Sequence, residues 1–152
     1  MSKQSRKYAI GLAGEFLVAG ELLRRGVPAA VTYGNAKSAD VVAYCGSRAT
    51  SLEVKTTSEA KWVLGGSLPE ESDALWVLVF LPPDERQSPE YFVLTSAELR
   101  GLVLPRHEAY NQRYREKQGN EYSAKGVVSV LRKELGKQHL GAWEKVIRAV
   151  GV

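Results

Sequence analysis

The sequence predicts an α/β domain in which an N-terminal helix packs on a mixed central β-sheet and a helical C-terminal region follows. Three observations carry this. Residues 5 to 25 place Ala9, Leu12, Ala13, Phe16, Gly20 and Leu23 at three- and four-residue spacings, the period of one helix face. Three short runs rich in Val, Tyr and Thr come next, separated by glycine-bearing turns. Residues Ala74 to Leu81 are then apolar at nearly every position, as in a strand covered on both faces.

Taken in order, Leu17 and Leu22 widen the stripe of the first helix, and Gly26 and Pro28 end it. Gly11, Gly14 and Gly20 lie inside it at a cost of about 1 kcal/mol each relative to alanine, so a close neighbour is expected on that surface. Residues 29–33, 39–45 and 50–57, with Gly34-Asn35 and Gly46-Ser47 between them, read as an antiparallel meander. Trp62-Val63-Leu64 is a short strand, 65–73 a loop, and 74–81 the expected central strand, with no crossover helix visible before it. Tyr91 to Leu94 is a further strand. Thr95-Ser96-Ala97-Glu98 carries the capping-box pattern and opens a helix to about Leu104. Residues 107–118 are polar and read as a second, exposed helix, 119–126 as a loop, and 127–131 as either strand or helix. A short helix with Trp143 and Ile147 on one face closes the chain. The expected organisation is a core over 1–104 and a helical extension over 105–152 packed on the same domain.

Composition excludes several classes. The 152 residues are 44% apolar and 25% charged, an ordinary globular balance that rules out wholesale disorder. No run approaches the roughly 18 apolar residues of a membrane helix. Met1 to Tyr8 is basic and polar, and the following helix carries Glu15 and Glu21, so no export signal is expected. Cys45 is the one cysteine, and with only His107 and His139 beside it neither an internal disulfide nor a multi-cysteine zinc site is expected. A cytoplasmic protein is the expectation. The net charge of +4 is unevenly spread: Lys and Arg outnumber Asp and Glu by 8 to 5 over residues 1–60 and by 10 to 5 over 106–152, but trail by 3 to 7 between. Basic ends suit a polyanion, and equally suit solvated helix faces.

Glu15, Asp40, Glu53 and Lys55 stand out chemically. Glu53 and Lys55 are two apart in a strand, so both leave one face while Leu52 and Val54 leave the other. If the hairpin turns on Gly46-Ser47, Cys45 faces Arg48, paired positions sum to 93, and Asp40 lies opposite Glu53. Their Cβ atoms are then about 5 Å apart. Two carboxylates opposed across a sheet repel, and a metal ion between them removes the conflict; Asp40→Ala is expected to relieve that repulsion in metal-free buffer. Glu21 has Arg24 and Arg25 at i+3 and i+4 and reads as a solvated ion pair. Glu15 instead has Gly11, Leu12, Val18, Ala19 and Leu22 as helical neighbours, and is expected to be aimed at the carboxylates.

The order Gly14-Glu15, Asp40-Val41-Val42 and Glu53-Val54-Lys55-Thr56 resembles the PD-(D/E)xK nuclease superfamily, with its restriction-endonuclease-like and Holliday-junction-resolvase-like members, over about the first sixty residues. Ala39 stands where the eponymous proline would be. The resemblance implies a restriction-endonuclease-like core and a Mg²⁺-dependent or Mn²⁺-dependent endonuclease acting on DNA. It also implies that Asp40, Glu53 and the Val54 carbonyl hold the ion, that Glu15 adds a ligand, and that Lys55 assists the attack of water. RNA or branched DNA as substrate, a homodimer, and a catalytically inactive nucleic-acid-binding or assembly subunit on the same fold remain open. Lys61 and Trp62 are weaker candidates, as a phosphate contact and a base-stacking platform. Tyr110, Arg113, Tyr114, Arg115 and Lys117 interleave aromatic and basic residues as either nucleic-acid contacts or an exposed helix do.

Overall fold

Ser2 starts the first helix, its hydroxyl accepting the Ser5 N–H at 3.1 Å, and the helix α1 runs from Lys3 to Leu23. The structure is a computed structural model and describes residues 1–33, 39–119 and 127–152. The expected meander follows as β1 (Ala29–Val31), β2 (Val41–Cys45) and β3 (Arg48–Thr57), all antiparallel neighbours. The Gly34-Asn35 turn lies outside the described residues. Gly46 has φ +57°, a conformation that glycine adopts without strain, and Cys45 faces Arg48 as a two-residue turn requires. Next come β4 (Lys61–Gly65), β5 (Leu75–Phe80), β6 (Glu90–Thr95), α2 (Ser96–Gln118), β7 (Val128–Leu131) and α3 (Glu144–Val150).

The main sheet has the order β1-β2-β3-β5-β6 and is mixed, because β3 and β5 are parallel and every other neighbouring pair is antiparallel. Its middle strand is therefore β3, and the apolar run expected there forms β5, an interior strand paired on both sides. The parallel step needs a crossover connection. Here no helix makes it. The chain returns through β4 and the loop after it, and β4 pairs with β7 in a separate two-stranded sheet. Residues 127–131, which fitted either state in sequence, thus supply a strand because β4 offers an edge.

Each face of the sheet carries its own core. On one, Val18, Ala19 and Leu22 of α1 and Val146 and Val150 of α3 pack on Leu52, Val54, Leu75, Val77 and Val79. On the other, Trp62 of β4, Leu99 and Val103 of α2, and Val128 and Val130 of β7 pack around Leu78, Phe92 and Leu94. Covering both faces is what makes β5 apolar throughout. The two helical stretches either side of Pro105 are one helix. Pro105 cannot donate to residue 101 and its ring crowds that carbonyl, but both Gly101 and Pro105 are on the exposed side, where the carbonyl can tilt toward water.

Long-range polar contacts lock the C-terminal region to this frame. The Lys145 ammonium donates to the Val93 carbonyl at 2.9 Å and to Glu98 Oε2 at 2.7 Å, and meets His139 Nδ1 at 3.2 Å. Glu98 also accepts the Thr95 N–H at 2.8 Å, closing the expected capping box. Burial, and then the neighbouring ammonium, push the pKa of the His139 imidazole down, so it stays neutral with Nδ1 as acceptor. Burial alone would raise the pKa of Glu98, but the hydrogen bonds from Lys145 and Thr95 outweigh it and hold the carboxyl below its ordinary value. Among the described residues, no helix is long and apolar enough to cross a membrane.

Candidate active site

Asp40 precedes β2 by one residue, and its backbone is fixed from both sides. Its N–H donates to the Leu52 carbonyl at 3.0 Å, and its carbonyl accepts the Thr32 N–H at 3.0 Å. The Thr32 hydroxyl donates to the Ala39 carbonyl and reaches the Asp40 carbonyl at 3.3 Å. The side chain then takes over where the ladder stops: Asp40 Oδ2 accepts the Val54 N–H at 2.8 Å, and the residue is only 9% exposed. Backbone N–H and C=O of one strand residue leave on the same side, so the Val54 carbonyl also faces this edge.

The β2–β3 register runs from Cys45 opposite Arg48 to Val41 opposite Leu52 and ends there; the Asp40 N–H turns back to the Leu52 carbonyl, and its carboxylate meets the Val54 N–H, next to Glu53 in the strand. In the parallel pairing with β5, Glu53 stands beside Trp76 and Lys55 beside Leu78. Leu78 belongs to the core built with α2 and β4, whereas Leu52 and Val54 belong to the core built with α1. Glu53 and Lys55 therefore emerge, half-buried, on the α2 side of the sheet.

The sheet itself stands between α1, which carries Glu15, and the face that carries Glu53 and Lys55. α1 covers the face opposite to Glu53 and Lys55, so any approach of Glu15 to them runs round an edge of β3, not through the sheet. That edge exists because β2 stops pairing at Leu52; among the described residues, positions 53–57 keep a ladder partner only in β5. Gly14, the residue before Glu15, brings the helix down onto the strand: a methyl added there would lie 1.9 Å from Thr56 Oγ1. At Gly11 and Gly20 the same methyl meets nothing within 4 Å, so the close neighbour expected for three glycines exists for one. Glu21 makes the expected pairs, with Arg24 at 3.1 Å and with Arg25. Burial would raise the pKa of Glu21, yet the two guanidinium groups hold it below its ordinary value.

The candidate donors are oxygens, the Asp40 and Glu53 carboxylates and the Val54 carbonyl, of the type that suits a hard divalent ion. Among the described residues, no three His, Cys, Asp or Glu side chains come together closely enough to hold an ion on their own. Trp62 does not serve as a stacking platform. Its indole is 1% exposed, donates to the Val79 carbonyl at 2.9 Å, and packs edge-on against Phe92. Lys61, its neighbour on β4, is exposed. His139 is the buried partner of Lys145, as a satisfied histidine. Thr32 had no signal in sequence, because its role depends on β1 lying beside β2.

No protein-family model matches the sequence, and no curated protein matches it either. Among solved structures, the chain is similar to Hjc, a Holliday junction resolvase of the archaeal hyperthermophile Archaeoglobus fulgidus, with 17% sequence identity, a TM-score of 0.45, and coverage of 82% of this chain and 90% of that one.

Proposed function

We propose that this chain is a metal-dependent nuclease of the PD-(D/E)xK kind that hydrolyses phosphodiester bonds in DNA. The observation that supports it best is Asp40, its backbone held by Thr32 and Leu52 and its carboxylate by the Val54 N–H between Glu53 and Lys55, which share one face of β3. Carboxylates held this close to a strand carbonyl are the donor types a hard divalent ion takes.

In this reading Asp40, Glu53 and the Val54 carbonyl hold Mg²⁺ or Mn²⁺, with Glu15 as a further ligand, direct or through water. When bound, the ion polarises the scissile phosphate and lowers the pKa of a coordinated water. Lys55 sets a compact positive charge beside the reacting phosphoryl group, where negative charge builds up as water adds and the P–O bond breaks. The Val54 N–H keeps the Asp40 carboxylate aimed, so the site does not depend on a free side-chain rotamer. Residues 105–152 belong to the same functional unit, since β7 completes the sheet begun by β4 and α3 seals the α1 core.

The test is a panel of linear, nicked, single-stranded and four-way-junction DNA, incubated with Mg²⁺, Mn²⁺ or EDTA. Cleavage in divalent ion, absent in EDTA and lost in Asp40→Asn and Glu53→Gln, is the expected result. Salt-sensitive binding to DNA without cleavage of any member of the panel favours the non-catalytic reading of the same fold.

A further inference from the structure

α2 is about 34 Å long at 1.5 Å per residue, yet its buried residues are Ser96, Leu99 and Val103, all within the first third. Past Val103 the helix runs for four more turns without entering either core. Arg106 fastens the start of this stretch, donating to the Ser129 carbonyl and pairing with Glu134 at 3.2 Å. Gly119 ends it in a left-handed cap, φ +73°, its N–H donating to the Arg115 carbonyl at 2.8 Å. A polar helix built this far beyond its packing surface has its sequence set by something other than the core.

One side of this stretch is distinctive. Tyr110, Arg113, Tyr114 and Lys117 follow the spacing i, i+3, i+4 and i+7 and fall within about 100° of arc. The two carboxylates of the stretch, Glu108 and Glu116, fall outside that arc, and Arg115 falls on the far side. Arg113 and Lys117 are exposed, and Tyr110 is 46% exposed. The helix rises from the core that contains Leu78, the β5 neighbour of Lys55, so the stripe stands on the side of the sheet from which Glu53 and Lys55 emerge.

We infer that this stripe is a second nucleic-acid contact, an arm that grips the sugar-phosphate backbone of a duplex outside the cleavage site. Resting on the nuclease reading for its partner, it extends that reading by assigning residues to duplex binding. Arg113 and Lys117 are about 6 Å apart along the helix axis, a reach that fits phosphates following one another at a rise of ~3.4 Å along one strand. A positively charged stripe without carboxylates favours a polyanion over an apolar protein partner, and backbone contacts of this kind select for duplex, not for sequence.

The experiment is fluorescence anisotropy of a fluorescein-labelled 30-base-pair duplex with the full chain in EDTA, repeated across a range of salt. Arg113→Ala with Lys117→Ala is compared with Lys7→Ala with Arg148→Ala, which removes equal charge from α1 and α3 on the opposite face. The stripe variant is expected to lower the slope of log K against log salt by about 2 and to weaken binding roughly tenfold or more near 0.1 M salt, while the control pair leaves the slope unchanged. Arg113→Glu with Lys117→Glu should deepen the loss. Equal losses in both pairs, or none in the stripe variants, overturn the inference while leaving metal-dependent cleavage untouched. Binding that depends on the stripe in a protein that cleaves nothing upholds the arm and refutes the nuclease. A wild-type chain that does not bind duplex refutes the arm, and the cleavage panel alone then decides the nuclease reading.

Discussion

Gly14→Ala is the sharpest probe of how α1 meets the sheet. The added methyl lies 1.9 Å from Thr56 Oγ1, 2.9 Å from Thr56 Cβ and 3.0 Å from Thr56 Cγ2. Rotating the threonine about χ1 moves the oxygen and the methyl but leaves Cβ where it is, and a β-branched side chain has few alternatives. The helix or the strand must shift. Overpacking of this kind costs about 1–3 kcal/mol, against which alanine gains about 1 kcal/mol of helix propensity over glycine. Gly20→Ala is the matched control on the same helix, since its methyl meets nothing within 4 Å and only the propensity gain remains. Urea denaturation at constant m-value should therefore place Gly20→Ala about 1 kcal/mol above wild type and Gly14→Ala about 0–2 kcal/mol below it, a gap of about 1–3 kcal/mol between the two variants. Thr56→Ala in the Gly14→Ala background removes two of the three clashing atoms and should recover most of the loss, with a coupling of about 1–2 kcal/mol in the double-mutant cycle. Because Glu15 moves with the helix, cleavage should fall further than the folded fraction does. Equal stability of the two alanine variants would refute the close approach.

Other outcomes follow from the same coordinates. Asp40→Ala leaves the buried Val54 N–H without its acceptor, so the variant should lose about 1–3 kcal/mol in metal-free buffer instead of gaining from relieved repulsion; Asp40→Asn keeps an acceptor and should retain stability while cleavage disappears, as thermal melts and the DNA panel will show. Lys55→Ala should abolish cleavage yet leave Mn²⁺ affinity, measured by calorimetry, within a few-fold of wild type, because the carboxylates and the Val54 carbonyl are intact. Acid should destabilise the fold in two stages. Folded His139 resists the proton that the unfolded chain binds near its ordinary pKa of 6.5, so stability falls as pH drops below that value. The lowered pKa of Glu98 contributes stability that is present above its ordinary value of 4.5 and lost as pH falls through the folded value. Urea midpoints that stay flat from pH 7.5 to 5 would contradict the first stage.

The parts of this fold that sequence exposes are those set by short-range arithmetic. The Gly46-Ser47 turn fixes the partner of every β2 residue, and period two fixes the face of Glu53 and Lys55, so the pairing of Asp40 with the β3 segment was legible before any coordinates. The capping box at Thr95 was equally local. What sequence hides depends on distant partners. Lys61 pairs with Leu131, 70 residues later, so nothing near Trp62 signals that its indole lies in a core instead of on a surface. The continuity of α2 through Pro105 rests on which side of the helix meets solvent. The position of α1, across the sheet from Lys55, is a property of layer order that no spacing within α1 encodes.

The late strand β7 also has a consequence for how the chain comes into being. The α1 side of the sheet gathers much of its cover from the first eighty residues, but Trp62, Leu78, Phe92 and Leu94 receive Val128 and Val130 only after the last fifth of the chain has begun to appear. At ~5–20 residues per second, synthesis takes roughly 3–13 s to pass from the end of β4 to the end of β7. During that interval β4 is an edge without its partner, above an apolar surface with incomplete cover. A nascent chain in this state is a natural client for a holdase. A chain cut short before Val128 should accordingly accumulate as aggregate, not as a smaller folded domain.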